Sequence, residues 1–157
     1  LHNALWTSAL SGLASTVCHW YWDEIHDRNL YPLYQPVAAF VADIPYTTAG
    51  LRPTDAGATK GLRVVGLQGK RHAYLWLSDP ASTWWTVAKE GRSPAEVRGA
   101  AVTVAGLAAG PYRVRWWDTR AGKVVLEATV RASGDSLTLQ TPAFTGDVAV
   151  KVEAAAP

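Results

Sequence analysis

Apolar and polar positions divide the chain into three stretches. Over residues 1–45, Leu5, Ala9, Leu10 and Leu13 recur at helical spacing, with Asn3 placed to cap the helix and Gly12 near its end. Thr16 to Trp22 is β-branched and aromatic, is bounded by Asp23-Glu24, and predicts a strand. Leu33, Val37, Phe40, Val41 and Ile44 then mark one face of a second helix, with Pro36 tolerable in its first turn. One strand between two helices has no partner for its backbone groups. This predicts a helix-strand-helix slice of a larger parallel α/β sheet or barrel, whose remainder is missing or comes from another chain.

Residues 46–61 are rich in Thr, Gly and Pro and predict a linker. From 62 to 153 the pattern changes to short alternating runs. Strands are predicted at Leu62–Gly66, His72–Ser78, Ala101–Val104, Tyr112–Asp118, Lys123–Arg131, Ser136–Gln140 and Asp147–Val152, with turns at Gly- and Asp-containing positions between them. About seven such strands imply a mainly β fold, an antiparallel Ig-like β-sandwich. Residues 154–157 form a tail. The alternation sets Tyr112, Val114 and Trp116 on one face as core and Arg113, Arg115 and Trp117 on the other.

Composition adds one unusual feature: eight Trp and six Tyr against two Phe, so the aromatics carry polar handles. A net charge of +2 with no Lys/Arg cluster argues against a nucleic-acid partner, and no run is long and apolar enough to span a membrane. The single cysteine, Cys18, excludes an internal disulfide, and its apolar setting predicts a buried structural thiol. The chain starts at Leu1 and contains no Met, which suggests that it has lost its natural N-terminus.

His2-Asn3-Ala4-Leu5-Trp6, Ser11-Gly12, Trp20-Tyr21-Trp22-Asp23, Asn29-Leu30-Tyr31 and Ala39-Phe40 together resemble the end of a (β/α)8 barrel in bacterial cellulase-like or mannanase-like glycoside hydrolases. Ala73-Tyr74-Leu75-Trp76, Gly110 to Asp118, Pro142-Ala143-Phe144 and Asp147 to Lys151 resemble the β-sandwich that follows such barrels, sometimes labelled collagen-binding. The resemblance implies a secreted, polysaccharide-active enzyme whose two catalytic glutamates precede Leu1. It therefore assigns no catalytic residue to this chain, and its implied partners are a polysaccharide or oligosaccharide and the missing N-terminal barrel portion. No cofactor or metal is expected.

Barrel sites form at the C-terminal ends of the strands, so Trp20, Trp22 and Asp23 are the first sugar-contact candidates. A Trp face stacks on the apolar C–H face of a pyranose. Trp20 and Trp22 would share one strand face, with Tyr21 and Asp23 on the other; which face meets the cleft stays open. Asp23 and Glu24 point to opposite sides of a strand and do not suit a glycosidase pair, which must flank one bond. His19, Asp23 and His26 have no fixed ligand spacing, and capping or loop hydrogen bonds account for them more simply than a metal does. On the sandwich, Trp84 and Trp85 are predicted in a loop that covers the barrel interface or binds sugar. Trp117 is either an exposed stacking residue or one shielded by arginine stems. Two other readings compete: an independent carbohydrate-binding module presenting Trp84, Trp85 and Trp117, and an adhesion module for collagen.

Overall fold

The computed structural model describes residues 1–155. It is mainly β, with antiparallel sheets and few helices. The helices are α1 (His2–Leu10), α2 (Trp22–Asp27) and α3 (Tyr34–Val41), with a 3-10 turn at Tyr31–Leu33. The strands are β1 (Arg52–Pro53), β2 (Gly57–Ala58), β3 (Arg63–Gln68), β4 (His72–Ser78), β5 (Glu96–Val97), β6 (Ala101–Ala105), β7 (Gly110–Asp118), β8 (Lys123–Ala132), β9 (Ser136–Gln140), β10 (Phe144–Thr145) and β11 (Asp147–Ala154).

A six-stranded sheet runs in the order β1-β3-β4-β11-β7-β8, and a three-stranded sheet in the order β2-β6-β9; β10 and β5 pair separately. The seven strands predicted from alternation all form, extended by a residue or two at several ends. The remaining four are two-residue bridges that no alternation could reveal. Residues 46–61 are more than a linker: β1 pairs with β3, and β2 with β6, so this stretch is stitched into both sheets. Ala154 belongs to β11 rather than to a tail, while residues 156–157 lie outside the described ones.

One face of the large sheet and the three-stranded sheet enclose a single apolar core. Its centre is the cross-strand row Leu75–Val150–Trp116, flanked by Leu77–Val148 and by Ala73–Val152–Val114. Val102 and Val104 of β6 and Leu137 and Leu139 of β9 complete it from the other sheet. Gly66 continues the central row because a Cβ there would lie 2.5 Å from Leu75 Cδ2 and from the Tyr74 carbonyl.

The opposite face of the large sheet is covered by α1 and α3. Leu5, Trp6, Leu10, Val37, Phe40 and Ile44 pack on Tyr74, Trp76, Ala149 and Trp117. Strands β4 and β11 are consequently buried on both faces. Gly122, at φ +65, turns the chain between β7 and β8 against α3, where a Cβ would come within 3.0 Å of Pro36 Cα.

Three expectations for residues 1–45 change. No strand forms over Thr16–Trp22: the segment is irregular and Trp22 opens α2. With no neighbouring strand in the chain, extended backbone there would leave its N–H and C=O groups unpaired. Asp23 and Glu24 instead sit in the first turn of α2, where the helix dipole favours acidic groups. Asn3 does not cap α1; the helix starts at His2, and Asn3 Nδ2 donates to the Ser82 carbonyl at 3.3 Å. Cys18 is exposed rather than buried, since the strand meant to enclose it is absent.

Candidate functional site

Chemistry-bearing residues gather in three places. The first is the sheet face beneath the helices. Asp147 is buried and accepts hydrogen bonds from His2 Nε2 at 2.6 Å, Trp76 Nε1 at 2.7 Å and Thr119 Oγ1 at 2.9 Å. Burial pushes its carboxyl up, but the His2 hydrogen bond and charge, with the Trp76 and Thr119 bonds, outweigh this and hold it below the usual range. One residue of α1 is thus fastened to β11 by a satisfied polar node.

Beside it, the row Tyr74–Lys151–Arg115 places two cations next to each other. Lys151 is fully buried, bonds Asp43 just beyond α3, and lies over the Phe40 and Trp117 rings at 4.9 and 5.1 Å. Arg115 bonds Glu153 and reaches Asp43 at 3.4 Å, and Tyr74 donates to Glu153 at 3.1 Å. Desolvation and the neighbouring Glu153 charge push the Tyr74 hydroxyl pKa well up. Asp43 loses some solvation, yet the Lys151 hydrogen bond and charge hold its pKa below the ordinary value. Each charged group here is paired with an opposite charge, although Arg115 Nε is buried without a hydrogen-bond partner, and such pairing suits docking of the helices.

The second place is exposed aromatic surface. Trp20 is 83% exposed, Tyr21 66% and Trp22 74%, on and beside the start of α2. Because no strand forms, Trp20 and Trp22 do not share a strand face. Asp23 lies in the same turn, and Glu24 is paired with Arg28 at 2.7 Å, with His19 Nε2 3.7 Å away. Trp84 and Trp85 are 65% and 53% exposed on a loop and a π-helical turn, Trp85–Lys89. Their rings meet edge to face at 5.5 Å and 82°, and Trp85 Nε1 donates to Glu90 at 2.8 Å. Rings so crossed cannot form one flat platform; they present two faces at right angles. Thr83 and Thr86 brace the loop, and Ser82 ties it to Asn3 of α1. Trp117, expected either as an exposed stacking residue or as one shielded by arginine stems, is buried under α3 with its ring edge-on to Phe40 at 5.5 Å. The alternation placed it on the correct face, but the helices cover that face.

The third place was not visible from residue patterns: a groove where the β3–β4 turn meets the segment before β1 and the end of β6. Arg52, Lys70, Arg71 and His72 line it, with Asp55 its one carboxylate. Lys70, Arg71 and His72 are consecutive, and the fold brings Arg52 beside them. Among the described residues, no group of three or more His, Cys, Asp or Glu is placed to hold a metal.

No family model matches the sequence, and no curated protein matches it. Solved structures do. One is a glycoside hydrolase family 5 protein from Bacteroides vulgatus, at 11% identity and a TM-score of 0.51, covering 85% of this chain and 26% of that one. A second, described as a glycoside hydrolase, has 11% identity and a TM-score of 0.50, covering 91% of this chain and 29% of its own. The class these likenesses define is therefore a mainly β fold shared with parts of glycoside hydrolases. The chain spans little more than a quarter of those neighbours' length. Coverage this wide exceeds what residues 52–155 alone could supply, so the likeness takes in part of the helical segment as well.

Proposed function

We propose that the chain is the C-terminal part of a secreted, polysaccharide-active glycoside hydrolase: the end of a (β/α)8 barrel followed by a docked Ig-like sandwich. The observation that carries this is a structural likeness to glycoside hydrolases extending across both the helical segment and the two sheets. The exposed run Leu13, Val17, Trp20, Tyr21 and Trp22 supports it, because such a patch normally marks a surface that something else covers. In this reading the rest of the barrel covers Leu13 and Val17, while Trp20 or Trp22 stacks on sugar beside Asp23. The catalytic carboxylates lie outside the chain.

Two proteins test the reading: this chain alone, and the chain expressed with its upstream coding sequence, each assayed on soluble β-glucans and mannans. The chain alone is expected to hydrolyse none of them, and the extended protein to cleave at least one. Turnover by the isolated chain overturns the proposal.

The exposure of Trp84 and Trp85 favours a second reading, a sugar-binding surface on the sandwich itself. Trp117 drops out of that surface because it is buried. Retardation of residues 1–157 in gels containing soluble glycan, lost in Trp84→Ala/Trp85→Ala, is the result this reading requires.

A further inference from the structure

The groove at the His72 end of β4 lies one strand length, roughly 20 Å, from the Ser78 end that leads to Trp84 and Trp85. Its volume is about 880 Å³, within the range of binding clefts and large enough for an oligosaccharide rather than a single ion. Its walls are fixed by backbone and by one side-chain clamp. Gln68 accepts from Thr54 Oγ1 at 2.8 Å and donates to the Ala105 carbonyl, joining the strand to both walls. Gly69 permits the close approach of the Ala49 carbonyl, which a Cβ would meet at 2.5 Å. The Lys70 and Arg71 carbonyls are held by Ala108 N at 2.8 Å and Ala154 N at 3.0 Å. The turn is therefore fixed while its two cationic side chains project to solvent.

Elsewhere the basic residues are often committed: Arg28, Arg92, Arg98, Arg113, Arg115 and Lys151 each hold a carboxylate. Among the described residues Arg52, Lys70 and Arg71 hold none, as is true also of Lys60, Arg63, Lys89, Arg120, Lys123 and Arg131; what sets the three apart is that they share one groove. Three like charges with one carboxylate, Asp55, among them leave the groove with a net positive charge that favours an anionic ligand, and guanidinium groups suit carboxylates through paired hydrogen bonds. No Phe, Tyr or Trp ring lines the groove to stack a base, and the net charge of +2 provides no wider basic field, which disfavours nucleic acid.

We propose that this groove binds an acidic polysaccharide, with Arg52, Lys70 and Arg71 pairing the carboxylates of uronic acid units. This extends the hydrolase reading to the charge of the polymer. It is tested by binding alone, so either idea can fail without the other.

The full chain is titrated calorimetrically with an oligogalacturonate, with dextran sulfate, with a neutral xylan and with a single-stranded DNA oligomer. The oligogalacturonate is expected to bind, and to weaken as salt screens the contacts. The triple variant Arg52→Ala/Lys70→Ala/Arg71→Ala is expected to lose at least about tenfold in affinity, as removal of charge-assisted bonds implies. Its melting temperature should stay unchanged, because all three side chains are exposed; if it does not, Lys70→Glu alone serves as the test. Unchanged affinity in the variant overturns the proposal. So does absence of oligogalacturonate binding, or equal or tighter binding of dextran sulfate, xylan or DNA.

Discussion

The two faces of the six-stranded sheet are buried by different means. Towards the three-stranded sheet the interior is built of apolar side chains in the rows around Leu75, Val150 and Trp116, with the Tyr112 hydroxyl bonded to the Ala108 carbonyl at its edge. Towards the helices it mixes Trp6, Phe40, Trp76 and Trp117 with Asp147, Lys151 and Arg115. An apolar face tolerates many partners of suitable shape, whereas buried charges accept only a partner with the right group in the right place. Asp43 and His2 supply those groups from the helical segment. The inner face is therefore expected to carry more of the stability, and the outer face to specify how the helices dock.

Breaking the inner face should have the largest effect. Leu75→Ala removes a fully buried side chain at the centre of the core, and is expected to cost about 2–5 kcal/mol in urea unfolding. Next comes Asp147→Ala, which strands His2, the Trp76 indole and Thr119 together; a loss of about 3 kcal/mol is expected, read in the same experiment. A loss under about 1 kcal/mol would mean that the node does not hold α1 to the sheet.

The Lys151 site offers a sharper contrast. Asp43→Ala leaves a buried ammonium without its carboxylate and should destabilise by about 2 kcal/mol or more. Lys151→Met removes the buried charge and leaves Asp43 about half exposed, so its effect should stay within about 1 kcal/mol. The opposite ranking would show that the ion pair itself drives docking. Acid should discriminate the faces too. Asp147 titrates below the unfolded value of about 3.9, so the native state binds fewer protons than the unfolded chain. Its contribution is complete above that value and disappears as pH falls through about 4 towards the lowered native pKa. Asp147→Asn should flatten this acid limb in melting curves recorded between about pH 6 and 2. The smallest effect is expected for Arg113→Ala, whose exposed pairing with Glu127 should leave the unfolding midpoint unmoved.

Much of the strand framework was legible. Turn residues and period-two alternation located β4 and β9 to the residue and separated Tyr112, Val114 and Trp116 from Arg113, Arg115 and Trp117. The helix over Val37 and Phe40 was also legible, with Pro36 in its first turn. The run Thr16 to Trp22 reads as a strand because β-branched and aromatic content outweighs everything else in a short window. Its conformation depended on a neighbour that the window does not contain. Of the candidate sugar contacts, Trp20, Trp22, Trp84 and Trp85 lie at the surface and Trp117 does not.

Local pattern by itself determined which residues alternate, where the chain turns and which side chains share a face, because these follow from backbone periodicity. Tertiary structure decided what covers each face. It buried Trp117 and Lys151 beneath α3, drew residues 46–61 into both sheets and assembled the cations of Arg52, Lys70 and Arg71 in one groove. Those outcomes depend on contacts between residues far apart in sequence, and period-two alternation carries no information about what lies opposite.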